Sequence, residues 1–280
     1  MFLKYKFSHF FSGFLQYSLL IVVASFMILP FIWMLSTSLK NADEIFHLPP
    51  IIISRNMDLH AYIYLVEQYN LLGVLKNSFV IAALSTLLQL LFCSLGGYGF
   101  AKFKFPGKNA LFGFLLGTMI IPFTIIMVPL FFIMRDLNWV NKFQAIIIPT
   151  AANAFGIFFM RQYISSVEDE LMDAARIDGA SEFGIYWRII LPIITPGLTS
   201  LGLIFFMSSW NSFLWPLIIL KTQSNFTLPL VIRSMIGPVG RTVYDVQMAA
   251  SIISIIPLLI IFLVFQRRFV EGITAGAVKG

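Results

Sequence analysis

Charge is what this sequence has least of. Only 11% of its 280 residues are Asp, Glu, Lys or Arg, while 59% are hydrophobic. A soluble domain carries about 25% charged residues to cover its surface, so a water-soluble globule is excluded. Cysteine is scarcer still: Cys93 stands alone, and no intrachain disulfide can form. The three histidines, His9, His47 and His60, are scattered. They make no H-E-x-x-H pattern or Cys/His cluster, so no metal site is expected. No Ser/His/Asp arrangement points to catalysis, and no catalytic residue is expected. A G-x-x-x-x-G-K-[ST] loop is also missing; "PGKN" at Pro106–Asn109 lacks both the upstream glycine and the following hydroxyl. This chain is therefore expected to be no enzyme and to bind no cofactor itself.

What it has instead is long apolar runs. Six stretches contain no Asp, Glu, Lys or Arg: Phe10–Leu39, Asn77–Ala101, Asn109–Met134, Phe143–Met160, Ile189–Leu220 and Val246–Gln266. A helix needs roughly 20 such residues to cross the bilayer core, and Phe143–Met160, the shortest, can borrow Gln162 and Tyr163. The expectation is an all-α, polytopic membrane protein with six transmembrane helices. The first run is too long for the apolar core of a signal peptide, and no small-x-small site follows it, so it is expected to stay. Segments 36–76 and 221–245 are too charged or too broken by Pro and Gly to span.

With the N-terminus inside, Lys4, Lys6, Lys102, Lys104, Lys108, Arg267, Arg268 and Lys279 fall in the cytoplasm. Several opposing charges (Lys40, Arg55, Lys221, Arg233 and Arg241) lie in longer loops and segment ends, where the positive-inside rule is weaker. Both termini are therefore expected inside. The net charge of +6 then reflects cytoplasmic loops and not a nucleic-acid partner. Residues 40–76 and 221–245 fall outside.

Against this apolar background stands a charged elbow, "DAARIDGASEFGIYWRIILP", from Asp173 to Pro192. Ser165 with Glu168 fits a capping box, and Glu168, Asp169 and Glu170 crowd the first turn of a helix. Leu171, Ala174, Ala175 and Asp178 follow helical spacing on one face. Gly179 offers a C-terminal corner, and Ser181 can cap a second helix through Glu182–Leu191 that Pro192 closes. Ala174, Ala175, Gly179 and Ala180 leave a shallow surface for another protein. From the residues alone, an amphipathic connector at the headgroups reads equally well.

The elbow resembles the E-A-A-x3-G-x9-I-x-L-P loop of ABC importer permeases, matching it at Ala174, Ala175, Gly179, Ile189, Leu191 and Pro192 and departing at Asp173. "WNSFLWPL" at Trp210–Leu217 and the closing "QRRFVEGITAGAVKG" at Gln266–Gly280 resemble the carbohydrate, maltose-type branch. The resemblance covers residues 70 to 280. It implies a type I permease fold, with an N-terminal helix and external segment (1–70), a permease core (71–268) and a cytoplasmic tail (269–280). It also implies that the elbow is a cytoplasmic coupling helix, in which Asp173, Ala174, Ala175, Arg176, Asp178, Gly179 and Ala180 dock on an ATPase. Gly272, Thr274, Gly276 and Lys279 would reach the same interface. The implied partners are a second permease subunit, two ATP-binding subunits that hold ATP and Mg, and an extracytoplasmic sugar-binding protein meeting 40–76 and 221–247. The implied location is the bacterial plasma (inner) membrane, multi-pass.

Spans without ionisable residues argue against coupling to protons. Asn153, Trp210, Asn211 and Trp215 are candidates to line a sugar path, since amides and aromatic rings suit hydroxyl edges and ring faces. For Asn211 an interhelical hydrogen bond is the plainer role. A stand-alone channel or facilitator, or a permease for glycerol phosphate or a polyol, stays open beside sugar import. By sequence alone, 221–247 could equally be a solvated loop.

Overall fold

The computed structural model describes residues 2–52, 54, 57–236 and 243–277, with side chains at 13, 15–41, 43–52, 54, 57–236 and 243–266. Every regular element among them is helical. The chain divides into two compact units, Met1–Asn70 with Ser234–Ile256, and Leu71–Arg233 with Pro257–Gly280.

In the first unit, α1 (Phe2–Ser38) is strongly apolar over Leu15–Ser38, and the most apolar part of that stretch has 0% of its residues buried. A helix greasy on every side is stable only in lipid or against other apolar helices. It is followed by α2 (His60–Tyr69), whose Tyr62 hydroxyl lies 2.8 Å from that of Ser38.

The second unit is organised around α3 (Leu71–Lys102), the most enclosed of the long helices. Two of its buried polar side chains turn back on their own backbone. Gln89 Nε2 donates to the Ser85 carbonyl at 3.1 Å and Ser94 Oγ to that of Leu90 at 2.6 Å. Such local bonds let polar groups sit at membrane depth without water. Then come α4 (Lys108–Thr118) and α5 (Phe123–Asp136), joined by a 96° bend, and α6 (Ala154–Ile164). After them, α7 (Asp169–Ile177) and α8 (Glu182–Ile193) form the elbow. A 78° bend leads from α8 into α9 (Thr195–Trp210), followed by α10 (Leu214–Ile219) and α11 (Leu228–Ser234). The last helix is α12 (Tyr244–Ala277), of which the part up to Ile256 belongs to the first unit and the part from Pro257 to the second.

Among the described residues, three helices are long and apolar enough to cross a bilayer, or up to five spans if each bent pair counts as one. The expected runs are thus met unevenly. Phe143–Met160 does not form one straight span: a short helix at Gln144–Ile147 passes into a 3₁₀ turn at Ile148–Thr150, and α6 begins only at Ala154. Pro149 brings no N–H to the helical ladder, and Asn153 is used as a cap. Ile189–Leu220 is likewise divided, with α9 ending at Trp210. Pro30, Pro129 and Pro257 lie inside continuous helices. The sharp bends instead fall just before Pro122 and at Ile194, ahead of Pro196.

Two glycines decide how closely α3 and α6 pack. A Cβ on Gly97 would lie 2.6 Å from Met160 Cβ and 2.8 Å from the Arg161 backbone nitrogen. One on Gly156 would lie 2.6 Å from Cys93 Sγ and from Phe205 Cζ. Backbone therefore rides on backbone, and α9 closes the same contact through Phe205. Gly113 and Gly117, a G-x-x-x-G pair, face open space within this chain. Gly97→Ala should accordingly lower the melting temperature in detergent, by about 1–3 kcal/mol of overpacking. Gly113→Ala, measured alongside, should not.

Candidate functional site

The elbow is built on a tight C-terminal cap. Asp178 ends α7, the Gly179 N–H donates to the Arg176 carbonyl at 3.0 Å, and the Ala180 N–H reaches back to Ala175 at 2.9 Å. This pair of bonds is a Schellman motif, which needs a left-handed residue at its corner. Gly179 supplies it with φ +80° and has nothing within 4 Å of a built Cβ. Ser181 then caps α8, its hydroxyl accepting the Gly184 N–H at 3.2 Å.

Three local expectations need correcting. Ser165 does not cap α7; it closes α6, donating to the Arg161 carbonyl at 2.7 Å, and Glu168 takes the cap position without a side-chain bond. Pro192 does not close the second helix, which runs on to Ile193 through a π turn at Tyr186–Ile190. The wider turn comes just before the residue that has no N–H to give. Ala175 does not share the outer face either. It and Met172 point into the core with Ile185 and Tyr186, while Leu171, Ala174, Ile177 and Asp178 face outward. Ile177 is 87% exposed and Phe183 68%. The outer surface therefore mixes exposed apolar side chains with charged ones around a small-residue corner.

Charged groups brace this corner. Arg176 donates through Nη1 to Asp173 Oδ1 at 2.7 Å, through Nε to Glu182 Oε1 at 2.7 Å and through Nη2 to Glu182 Oε2 at 3.3 Å. These contacts, Glu182 first, hold the guanidinium still more firmly in its charged form. Asp173 thus has a partner within the chain. Glu182 also accepts the Tyr98 hydroxyl of α3 at 3.2 Å. One turn further along α3, Lys102 donates to the Val167 carbonyl and to Asp169 Oδ1, the latter at 2.5 Å. That bond, with the ammonium's charge, draws the Asp169 carboxyl below its ordinary value.

The candidates for a sugar path are mostly occupied. Trp215 is buried and spends its indole N–H on the Ala145 carbonyl at 2.9 Å. Trp210 is buried and stacks on Phe206, ring centroids 5.9 Å apart. Asn153 Oδ1 caps α6 by accepting the Gly156 N–H at 3.0 Å. Asn211 is exposed at the end of α9, its amide donating to the Met207 carbonyl at 2.9 Å. A cleft of about 440 Å³ in the second unit includes none of the four; Phe79, Leu90, Leu203 and Phe206 are among its walls.

The chain as a whole is similar to known transport proteins. Residues 89–275 match the family described as binding-protein-dependent transport system inner membrane component. The chain belongs to that family. Among relatives of this permease, the arabinooligosaccharides transport system permease protein AraQ of Halalkalibacterium halodurans is 40% identical over 225 residues, 80% of each chain. The lactose transport system permease protein LacG of Rhizobium radiobacter is 34% identical, covering 94% of this chain and 95% of its own. In fold, the permease is similar to a chain of a bacterial ABC transporter that imports the acidic polysaccharide alginate. The TM-score is 0.82 at 24% identity, over 92% of this chain and 96% of that one.

Elsewhere in the permease, Gly272, Thr274 and Gly276 lie on α12, while Lys279 falls outside the described residues. The segment after α10 is no loose loop up to Ile236. Asn141 Oδ1 accepts the N–H groups of Lys221 and Thr222 at 2.9 and 3.2 Å. Asn77 Nδ2 donates to the carbonyls of Ser224 and Phe226 at 2.8 and 3.1 Å. Residues 237–242, including Arg241, lie outside the described residues.

Sequence reasoning passed over Tyr98 and Ser94, and took Lys102 only for its charge. The signal was available as a polar stripe, four residues apart, at the C-terminal end of a mostly apolar helix. The Lys102–Asp169 bond also carries a pH signature. Because the folded carboxyl titrates below its ordinary value, its contribution is present at neutral pH and fades as pH falls through that lowered value. The gap in thermal stability between wild type and Asp169→Asn should therefore be constant from neutral pH down to about pH 5 and close below about pH 4.

Proposed function

We propose that this permease is one of two membrane subunits of an ATP-driven carbohydrate importer, and that the elbow is its docking point for an ATPase. The observation that carries the reading is the corner itself. Apolar and small residues (Leu171, Ala174, Ile177, Gly179, Ala180) face outward on a charged brace, at the place where the family motif lies. A membrane protein gains nothing by presenting Ile177 to water; the surface gains when a partner covers it.

The chain hydrolyses nothing in this reading. ATP binding draws two partner ATPases together, their surfaces carry the elbow, and the helices pass from inward-open to outward-open. Six spans, both termini in the cytoplasm and residues 221–236 outside are part of the same reading. A sugar-loaded binding protein then meets the segment that Asn141 and Asn77 hold in place. The relatives' oligosaccharide and lactose names support a sugar cargo, and Asn211 is the exposed amide left to meet it. Gly272, Thr274 and Gly276 of α12, together with Lys279 further along the sequence, meet the ATPase.

Affinity purification through a tag on this chain, in mild detergent, should recover a second permease and ATPase subunits in fixed ratio. Recovery of a homo-oligomer alone would favour a facilitator. In cells supplied with labelled arabino-oligosaccharides or lactose, Gly179→Asp should abolish ATP-dependent uptake, because it strains a positive-φ corner and adds charge to the docking face. Asp173→Glu should leave uptake within about two-fold, since it keeps the charge that Arg176 holds. Undiminished uptake by Gly179→Asp would remove the docking assignment.

A further inference from the structure

The elbow is joined to the membrane helices by two routes of different stiffness. The covalent route runs along α8 into α9, and it contains both the π turn at Tyr186–Ile190 and the 78° bend at Ile194. In the π turn the Leu191 N–H reaches the Tyr186 carbonyl, and Pro192 has no N–H to offer the Arg188 carbonyl. Lost and lengthened backbone bonds make this a compliant joint.

The second route is lateral. Ser94, Tyr98 and Lys102 stand four residues apart on one face of α3, spanning about 12 Å of its axis. Each makes a polar link to a different point of the elbow or its approach. The Ser94 hydroxyl lies 2.6 Å from that of Tyr186, Tyr98 donates to Glu182, and Lys102 donates to Val167 and Asp169. All three are enclosed: Ser94 is 1% exposed, Tyr98 5%, and the Lys102 side chain 5%. The links touch both arms of the corner, since Asp169 begins α7 and Glu182 begins α8. Arg176 ties the arms to each other.

We infer that Ser94, Tyr98 and Lys102 are positioning residues for energy coupling, forming a polar rack by which movement of the elbow is delivered to α3 in preference to α9. The inference rests on the docking role proposed above. A charge-assisted bond at Lys102 and a shared carboxylate at Glu182 resist shear better than a helix with a π turn and a bend. From α3 the movement passes to α6, because the Gly97 and Gly156 contacts leave no room for the two helices to slide.

The test uses the complete importer in lipid nanodiscs, with an environment-sensitive dye on Leu87→Cys of α3 or on Met207→Cys of α9. Both sites are exposed, and the native Cys93 is buried. ATP with vanadate is the trigger. In the wild-type background both dyes should respond. In Tyr98→Phe/Lys102→Met the α3 response should fall at least about five-fold, the low end of ordinary coupling between sites, while the α9 response and bound ATPase stay as in wild type. Tyr98→Phe keeps the ring against Tyr186 and Phe103, with centroids 5.5 and 5.3 Å away, so the core stays packed. Lys102→Arg alone should retain the response. An undiminished α3 response in the double variant overturns the inference. So does loss of ATPase from that variant, which would make the links part of the dock. A wild-type complex that carries no ATPase overturns the docking reading, and the inference with it.

Discussion

One left-handed residue shapes the elbow of this molecule. With Gly179 at φ +80°, the chain reverses quickly enough for Arg176, on the last turn of α7, to grip Glu182, on the first turn of α8. A side chain at that corner would meet no neighbour, so space is not what calls for glycine; the backbone angle is. Once the corner exists, Glu182 faces α3 and can take the Tyr98 hydroxyl as well. The elbow's outer surface, its brace and its tie to α3 all follow from the reversal.

The distribution of charge follows a related logic. Lipid penalises an unpaired ion heavily, so the spans rely on hydroxyls and amides that bond to their own helix, such as Ser94 and Gln89. The ionised groups of α3 and the elbow lie towards helix ends and corners, where water can reach them. Lys102 lies at the boundary, its side chain almost enclosed and its ammonium on a carbonyl and a carboxylate. Each exposed pair contributes little to stability alone. Their value is directional, since together they hold the elbow at defined points along α3.

A permease that changes its accessibility needs parts that stay rigid and parts that yield. The α3–α6 contact, with backbone against backbone at Gly97, belongs to the first kind. The π turn before Pro192 and the bends near Pro122 and Ile194 belong to the second. Pro30, Pro129 and Pro257 sit inside continuous helices, so the prolines alone do not mark the yielding points. A bend forms where the missing N–H coincides with a local break in the ladder.

The sequence by itself determined the class of the protein, its apolar runs, the Gly179 corner and the Ser181 cap, because these depend on composition and on neighbours a few residues away. Local pattern also picked out the elbow as unusual. Only the tertiary structure decided that Ala175 turns inward, that Trp215 and Asn153 spend their polar groups within the chain, and that the Phe143–Met160 run breaks in two. The Ser94, Tyr98 and Lys102 stripe belongs with them, since its partners lie as far as 92 residues away in the chain. Hydropathy shows that a residue can be buried or bonded, but the identity of its partner is a property of distances between segments, which no local pattern contains.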